Sequence, residues 1–154
     1  KITESWLQAR AEMLIWKSLF DQRDTHYTDR LNILNGLFPT PVEGDHVYRD
    51  LTTELTLNID GVNPATLASH YIVFGTPNGE TLEGSGDSDR LYGMSGNDTL
   101  DGGKGNDHME GGEGFDTYRI APEDGNDVIL DTDGKGVIVY NGLTLGDGQS
   151  IAPN

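Results

Sequence analysis

Residues 75–119 read GTPNGETLE GSGDSDRLY GMSGNDTLD GGKGNDHME GGEGFDTYR, consecutive units of nine residues whose period never slips. The eighth position is always large and apolar (Leu82, Leu91, Leu100, Met109, Tyr118), and the sixth is always acidic (Glu80, Asp89, Asp98, Asp107, Asp116). Apolar and acidic positions held in register this long mark a repeat architecture, in which a unit cannot bury its apolar side chain alone and neighbours must stack. Glycines in the first six positions permit a tight turn with left-handed torsions and let main-chain carbonyls converge on one point. Positions seven to nine alternate polar, apolar, polar, which predicts a three-residue strand with one inward side chain. Two units then make one coil of two strands and two turns.

Such a coil buries only about two apolar side chains, too few to offset the backbone entropy of its residues at roughly 1 kcal/mol each or more. Something further must hold it, and the acids indicate what. Loops one coil apart fall on the same side, so the acids form two rows: Glu80, Asp98 and Asp116 on one, Asp89, Asp107 and Asp127 on the other. Asp127 belongs to a degenerate sixth unit, PEDGNDVIL (122–130), displaced by two residues but keeping Gly125, Asp127 and Ile129 in phase. Calcium takes six to eight hard oxygen ligands and accepts carbonyls mixed with carboxylates. An isolated Asp is ordinarily a solvated surface group, and the register inverts that reading. For Glu83, Asp101, Glu110 and Glu123, outside the motif positions, the solvated reading is kept.

The units follow the pattern G-G-x-G-x-D-x-U-x, and here the chain resembles the right-handed parallel β-roll of haemolysin-type (RTX) proteins and secreted metalloproteases. The resemblance implies ions between successive loops of a row. One loop gives carbonyls from positions two and four with its position-six carboxylate; the next gives positions one and three with its own. Carried onto this sequence, one central site uses Met94, Gly96 and Asp98 with Gly111, Glu113 and Asp116. Its counterpart across the roll uses Ser85, Asp87 and Asp89 with Gly102, Lys104 and Asp107. Flanking sites join Gly103, Gly105 and Asp107 to Pro122, Asp124 and Asp127, and Thr76, Asn78 and Glu80 to Gly93, Ser95 and Asp98. The first unit lacks paired glycines and carries Glu for Asp, so its site is expected to be weak. Asp131 and Asp133, before Gly134, could complete one more site with Gly112, Gly114 and Asp116. The expectation is three to five calcium ions, strongest at the two central sites.

Composition agrees. Of 21 glycines, 18 lie from Gly75 onward, and that segment holds 16 Asp/Glu against 4 Lys/Arg. So acidic and glycine-rich a chain repels itself unless a cation neutralises it on folding. The same charge argues against nucleic acid and anionic membranes as partners. There is no cysteine, hence no disulfide framework and no thiolate metal site. No apolar stretch approaches the about eighteen residues that span a bilayer, and no signal peptide opens the chain. The start at Lys1 without methionine leads to the expectation of a C-terminal fragment of a large secreted bacterial protein.

Residues 1–74 follow ordinary rules. Trp6, Ala9, Met13, Trp16 and Phe20 recur at helical spacing, with Leu7, Ala11 and Leu14 widening the stripe. Thr3 or Ser5 could cap this amphipathic helix, the latter with Gln8 three residues on. Its tryptophans are expected to pack on the strands that follow. After a polar connection at 21–35 and a Pro39/Pro41 loop, alternation over Leu51, Thr53, Leu55, Leu57 and Ile59 predicts a strand ending at an Asp60-Gly61 turn, with Val47 and Tyr48 starting its hairpin partner. His70–Phe74 reads as a strand that seals the open end of the roll, and Val137–Leu145 as strands closing the far end.

Catalytic constellations are absent: no HExxH, no G-x-S-x-G elbow and no P-loop occur. The glycine pair Gly84/Gly86 lacks the third glycine and following helix of a dinucleotide site. His26, His46, His70 and His108 are scattered, and His108 falls at an outward strand position. Asp45-His46 has no activated serine to serve, since Ser5, Ser18 and Ser69 lack any such context. Asn97-Asp98-Thr99 spells a glycosylation sequon that a calcium role for Asp98 makes incidental. The reading is a mainly β chain in three parts: 1–74, a helix plus short strands as N-terminal cap; 75–136, the roll; 137–154, a terminal cap. Its expected role is calcium-triggered folding outside the cell of a protein exported by type I secretion machinery, a route the resemblance implies. Alternatives are the tail of a secreted lipase-like hydrolase whose active site lies upstream, or a module of an adhesin.

Overall fold

The computed structural model describes residues 2–21, 46–59 and 70–145, with the side chains of 19–21 excepted. The side chain of the expected stripe member Phe20, the polar connection after Asp21, the Pro39/Pro41 loop and the Asp60-Gly61 turn lie outside the described residues. One helix, α1 (Glu4–Asp21), precedes β1 (His46–Asp50), β2 (Leu55–Asn58) and β3 (His70–Phe74). The repeats supply β4 (Thr81–Ser85), β5 (Arg90–Ser95), β6 (Thr99–Gly103), β7 (His108–Glu113) and β8 (Asp116–Ile120). Then come β9 (Val128–Leu130), β10 (Gly136–Tyr140) and β11 (Leu143–Leu145).

The strands build a mainly β, parallel solenoid of about four turns. Successive units alternate between two walls, one ordered β2-β1-β3-β5-β7-β9 and the other β11-β10-β8-β6-β4. The period of two units per coil appears directly in the register: Leu82 pairs Leu100 and Leu100 pairs Tyr118 in one wall, Leu91 pairs Met109 in the other. Met109 then pairs Ile129, so the sixth unit joins the ladder two residues late, as its displaced phase requires. The eighth-position side chains meet between the walls: Leu82, Leu91, Leu100, Met109 and Tyr118 are at most 2% exposed and form one cluster with Val47, Tyr71 and Val73.

The strands are longer than the pattern predicts. They run five or six residues rather than three, because the first positions of the following unit continue the parallel pairing before the chain turns. The predicted Leu51–Ile59 strand also contracts, to Leu55–Asn58. Leu51–Glu54 is a turn, held by Asp50, whose carboxylate accepts from Thr52 N–H (3.1 Å) and the Thr53 hydroxyl (2.8 Å). β1 and β2 do form the predicted antiparallel hairpin. β3 is not the end of its wall, since β1 pairs it in parallel on one side and β5 on the other. At the far end β10 pairs β8 in parallel and β11 folds back antiparallel on it.

Helix α1 lies against the outer face of the first wall. Ala9, Met13 and Trp16 share a core with the outward residues Tyr48, Ile72, Phe74 and Tyr92, with Trp6 packed edge-on against Phe74. Thr3 is the cap, its Oγ1 accepting from Trp6 N–H (3.1 Å); Ser5 instead meets the Tyr92 hydroxyl (2.7 Å). Leu7 and Leu14, counted into the apolar stripe from sequence, are about half exposed on the opposite side. Between Ala9 and Met13 sits Glu12, fully buried, accepting from Arg90 (3.0 Å), Gln8 (2.9 Å) and Tyr48 (3.2 Å). Arg10 pairs with buried Asp50 at 2.7 Å. Among the described residues no helix is long and apolar enough to cross a membrane.

Candidate metal centre

The two acidic rows are bonded ladders. Oδ1 of each position-six Asp accepts the main-chain N–H of the equivalent residue one coil earlier: Asp98 from Glu80 (2.8 Å), Asp116 from Asp98 (2.9 Å), Asp107 from Asp89 (2.8 Å) and Asp127 from Asp107 (3.0 Å). Asp89 does the same for Tyr71 N–H at 2.6 Å. One carboxylate oxygen thus staples adjacent coils and fixes the side chain.

In three of these acids the other oxygen is left without a partner. Oδ2 of Asp98, Asp107 and Asp116 is buried and makes no hydrogen bond within the protein. A buried acceptor so abandoned costs about 1–3 kcal/mol, more if charged, so native proteins rarely leave one without a ligand. Each of these oxygens lies over the first glycine of its own unit. A Cβ built on Gly93, Gly102 or Gly111 would stand well inside 3.0 Å of it.

Carbonyls complete the cradle. Those of Ser85, Met94 and Gly105 face the next coil where a Cβ on Gly103, Gly112 or Gly125 would be, and that of Gly96 faces Gly114 likewise. The Gly93, Gly102 and Gly111 carbonyls face back toward Gly75, Gly84 and Gly93. Position-two and position-four oxygens therefore point forward along the stack and position-one oxygens backward, into the same gaps. Met94 holds φ +82°, matching Gly103 (+84°), so the backbone imposes the left-handed turn even where a side chain must bear the strain. Among the described residues no three His, Asp or Glu side chains converge as a metal cluster. The gaps offer paired carboxylates and main-chain oxygens, a hard-oxygen set that fits calcium and does not suit metals that prefer imidazole or thiolate.

Electrostatics shows the same need. Burial pushes Asp98 and Asp107 up to about 7, with Asp116 and Glu80 adding repulsion at the first and Asp89, Asp127 and Asp124 at the second. Burial raises Asp89 to about 6 against the hydrogen bonds it accepts. Asp116 is raised by burial and then by Asp131 and Asp133, against the Asp98 N–H. These folded-state values lie above the unfolded value of 3.8, so without calcium the fold binds more protons than the unfolded chain between about pH 4 and pH 7. Their contribution is fully present below the unfolded value and is lost as pH rises through about 6 to 7. In chelator, the strand signal of the roll should be stronger at about pH 5 than at about pH 8, since protons then neutralise the rows; an unchanged or opposite trend would contradict the arrangement.

The predicted site residues divide into distinct environments. Asp98 and Asp116 face each other along one row; Met94 pairs Gly112 and Ser95 pairs Glu113 in the ladder, and the Glu113 carbonyl accepts from Gly96 N–H (2.8 Å). Asp107 faces Asp124 and Asp127, and the Asp124 carbonyl accepts from Gly105 N–H (2.5 Å). Pro122 precedes Glu123, which takes φ +75° and so reproduces the position-two turn without glycine. Asp131 and Asp133 both reach the Asp116 loop, but Asp133 is engaged by Gly114 N–H (3.1 Å) and Lys135 (3.1 Å), which hold it down to about 2. In the first two units the acids are already satisfied. Thr76 donates its N–H (3.1 Å) and hydroxyl to Glu80, and Ser85 its N–H (2.5 Å) and hydroxyl (3.1 Å) to Asp89. Asp87 lies 4.0 Å from His70.

Glu110, read from sequence as a solvated acid, is instead buried. It accepts from the Thr3 hydroxyl (2.7 Å) and meets His108 at 2.6 Å, both beneath the start of α1. A signal for this was present: position seven is Thr81, Thr99 and Thr117 in one wall but Arg90 and His108 in the other, the wall that receives the helix.

Comparison with known proteins gives one match. Residues 75–118 fit the family model described as the RTX calcium-binding nonapeptide repeat, in four copies. No curated protein and no solved structure matches the chain.

Proposed function

We propose, since residues 75–118 are RTX calcium-binding nonapeptide repeats, that the chain is a calcium-triggered fold: unstructured through most of the roll while calcium is scarce, ordered when the ion is abundant outside the cell. The observation that carries this is the row geometry, in which buried Asp98, Asp107 and Asp116 each keep one unpartnered oxygen over a glycine. Calcium would neutralise the rows and bridge consecutive loops. Its holders are Met94, Gly96 and Asp98 with Gly111, Glu113 and Asp116; Gly103, Gly105 and Asp107 with Pro122, Asp124 and Asp127; Gly112, Gly114 and Asp116 with Asp131 and Asp133; more weakly Thr76, Asn78 and Glu80 with Gly93, Ser95 and Asp98; and Ser85, Asp87 and Asp89 with Gly102, Lys104 and Asp107, expected from sequence to be a strong central site but weaker in this reading because Ser85 already engages Asp89.

Three to five ions are enough energetically. A site whose calcium concentration is tenfold above its dissociation constant contributes about 1.4 kcal/mol, so four supply roughly 5 to 6 kcal/mol, comparable with a small domain's whole stability. Residues 1–74 and 137–154 would then be the ends a solenoid needs, and the roll a structural module rather than a catalytic one. Export through a type I channel as an extended chain fits a fold that waits for calcium. The test is calcium titration of the chelated chain followed by far-ultraviolet circular dichroism. Strand signal should fall in chelator and return at millimolar calcium, whereas a signal indifferent to chelator would end the proposal.

A further inference from the structure

The turns of the roll are of two kinds. From Gly93 onward, positions two and four take left-handed torsions: Met94 (+82°), Gly96 (+109°), Gly103 (+84°), Gly105 (+129°), Gly112 (+107°) and Gly114 (+133°). In the first two turns the corresponding residues are Thr76, Asn78, Ser85 and Asp87, none of which has a positive φ. The chain therefore takes another path there, one open to ordinary side chains. That path places a hydroxyl where the later turns have none. Thr76 and Ser85 reach the position-six acid of their own unit, and between hydroxyl and N–H they engage both oxygens of Glu80 and of Asp89. No carboxylate oxygen of either acid is among the buried unpartnered atoms, in contrast to Asp98, Asp107 and Asp116.

These closed turns adjoin the part of the molecule with a conventional core. Phe74 and Tyr92, at the borders of the first two units, belong to the cluster formed with Ala9, Met13 and Trp16 of α1. Arg90, one residue after Asp89, is tied to buried Glu12 of the helix at 3.0 Å. Asp89 also holds Tyr71 N–H of β3 at 2.6 Å, and the His70 ring meets the Ser88 carbonyl at 2.7 Å.

We propose that Thr76 and Ser85 are latches that close the first two turns without an ion, so that α1, β1–β3 and the first coil form a calcium-independent platform on which the later, ion-dependent coils assemble in order. This rests on the calcium reading above. It adds a polarity: the end nearest the helix folds first and the remainder is added by calcium.

Residue-resolved hydrogen exchange of the full chain tests this, in chelator and in excess calcium. In chelator, the amides of Tyr71, Thr76 and Ser85 should remain protected while those of Asp98 and Asp107 exchange freely; calcium should add protection mainly from Gly93 onward. The double variant Thr76→Ala, Ser85→Ala should lose about tenfold or more of the protection at Tyr71, Thr76 and Ser85 in chelator, the consequence of removing hydrogen bonds to charged acceptors. Its circular dichroism in calcium shows whether it still folds, and if it does not, the wild-type exchange pattern alone decides. Calcium-induced protection spread evenly over 70–140, or a double variant indistinguishable from wild type in chelator, would overturn the latch while leaving the calcium reading intact. If calcium adds protection nowhere, the calcium reading fails with it.

Discussion

Replacing Asp98 by Asn should stabilise the calcium-free protein and destabilise the calcium-bound one. The substitution keeps Oδ1, which staples the coil through Glu80 N–H at 2.8 Å, and removes the charge from a buried group facing Asp116 and Glu80. Without calcium that charge is a liability, because burial and its acidic neighbours both disfavour it. With calcium it is one of two carboxylates at each of the gaps on either side. Weakening both sites forfeits about 1.4 kcal/mol apiece when calcium stands tenfold above the dissociation constant, so about 3 kcal/mol in all. In calcium the urea midpoint of D98N should therefore fall below that of wild type, whereas in chelator, where most of the wild-type roll is unfolded, D98N should show at least as much strand signal by circular dichroism. Glu80→Gln should show a smaller effect of either sign, because Thr76 already satisfies that carboxylate. A D98N variant whose urea midpoint in calcium equals that of wild type would mean that the carboxylate serves only the staple, and the calcium assignment of that row would fall.

What the residues disclosed in advance follows from which interactions are local and periodic. The inward row of Leu82, Leu91, Leu100, Met109 and Tyr118 and the rows of acids depend on one spacing, and a spacing can be read along the chain. Strand length could not be read, because Gly93–Ser95 and Gly111–Glu113 look like turn in composition and become strand only when the neighbouring coil pairs with them. Docking of α1 was equally hidden. It depends on Glu12 meeting Arg90 and on Thr3 meeting Glu110, contacts across 78 and 107 residues that no local pattern encodes. The same contacts explain why Leu7 and Leu14 misled: the buried face is the predicted stripe of Trp6, Ala9, Met13 and Trp16, but it is widened by the buried acid Glu12 rather than by the two leucines, which stay half exposed. The division of the turns was visible as the hydroxyls Thr76 and Ser85 at position two, yet their meaning required the acids' bonding to be seen.

Replacing Gly114 by Ala should be among the most damaging single changes in the roll, although it adds only a methyl group. Gly114 has φ +133°, and a Cβ there would fall far inside contact distance of the Gly96 carbonyl and against Asn97 of the preceding coil. Neither obstacle is the far end of a flexible side chain that could swing away without loss, since Asn97 Oδ1 is itself bonded to Phe115 N–H at 2.8 Å. The left-handed torsion costs an L-residue about 1–2 kcal/mol and forced overpacking about 1–3 kcal/mol more, so a loss of roughly 3 kcal/mol is expected. Gly86→Ala is the control from the same repeat region: its torsion lies outside the left-handed range and nothing stands within 4 Å of the added atom. There the smaller entropy of the unfolded chain should leave stability unchanged or raise it by about 0.4–1 kcal/mol. Denaturation midpoints of the two variants in calcium give the comparison. Equal losses would show that the position-four glycines serve composition or flexibility rather than close approach of coils. A wide gap would show that the stacking distance itself excludes the side chain, and that same close approach directs the Gly96 carbonyl into the gap between loops.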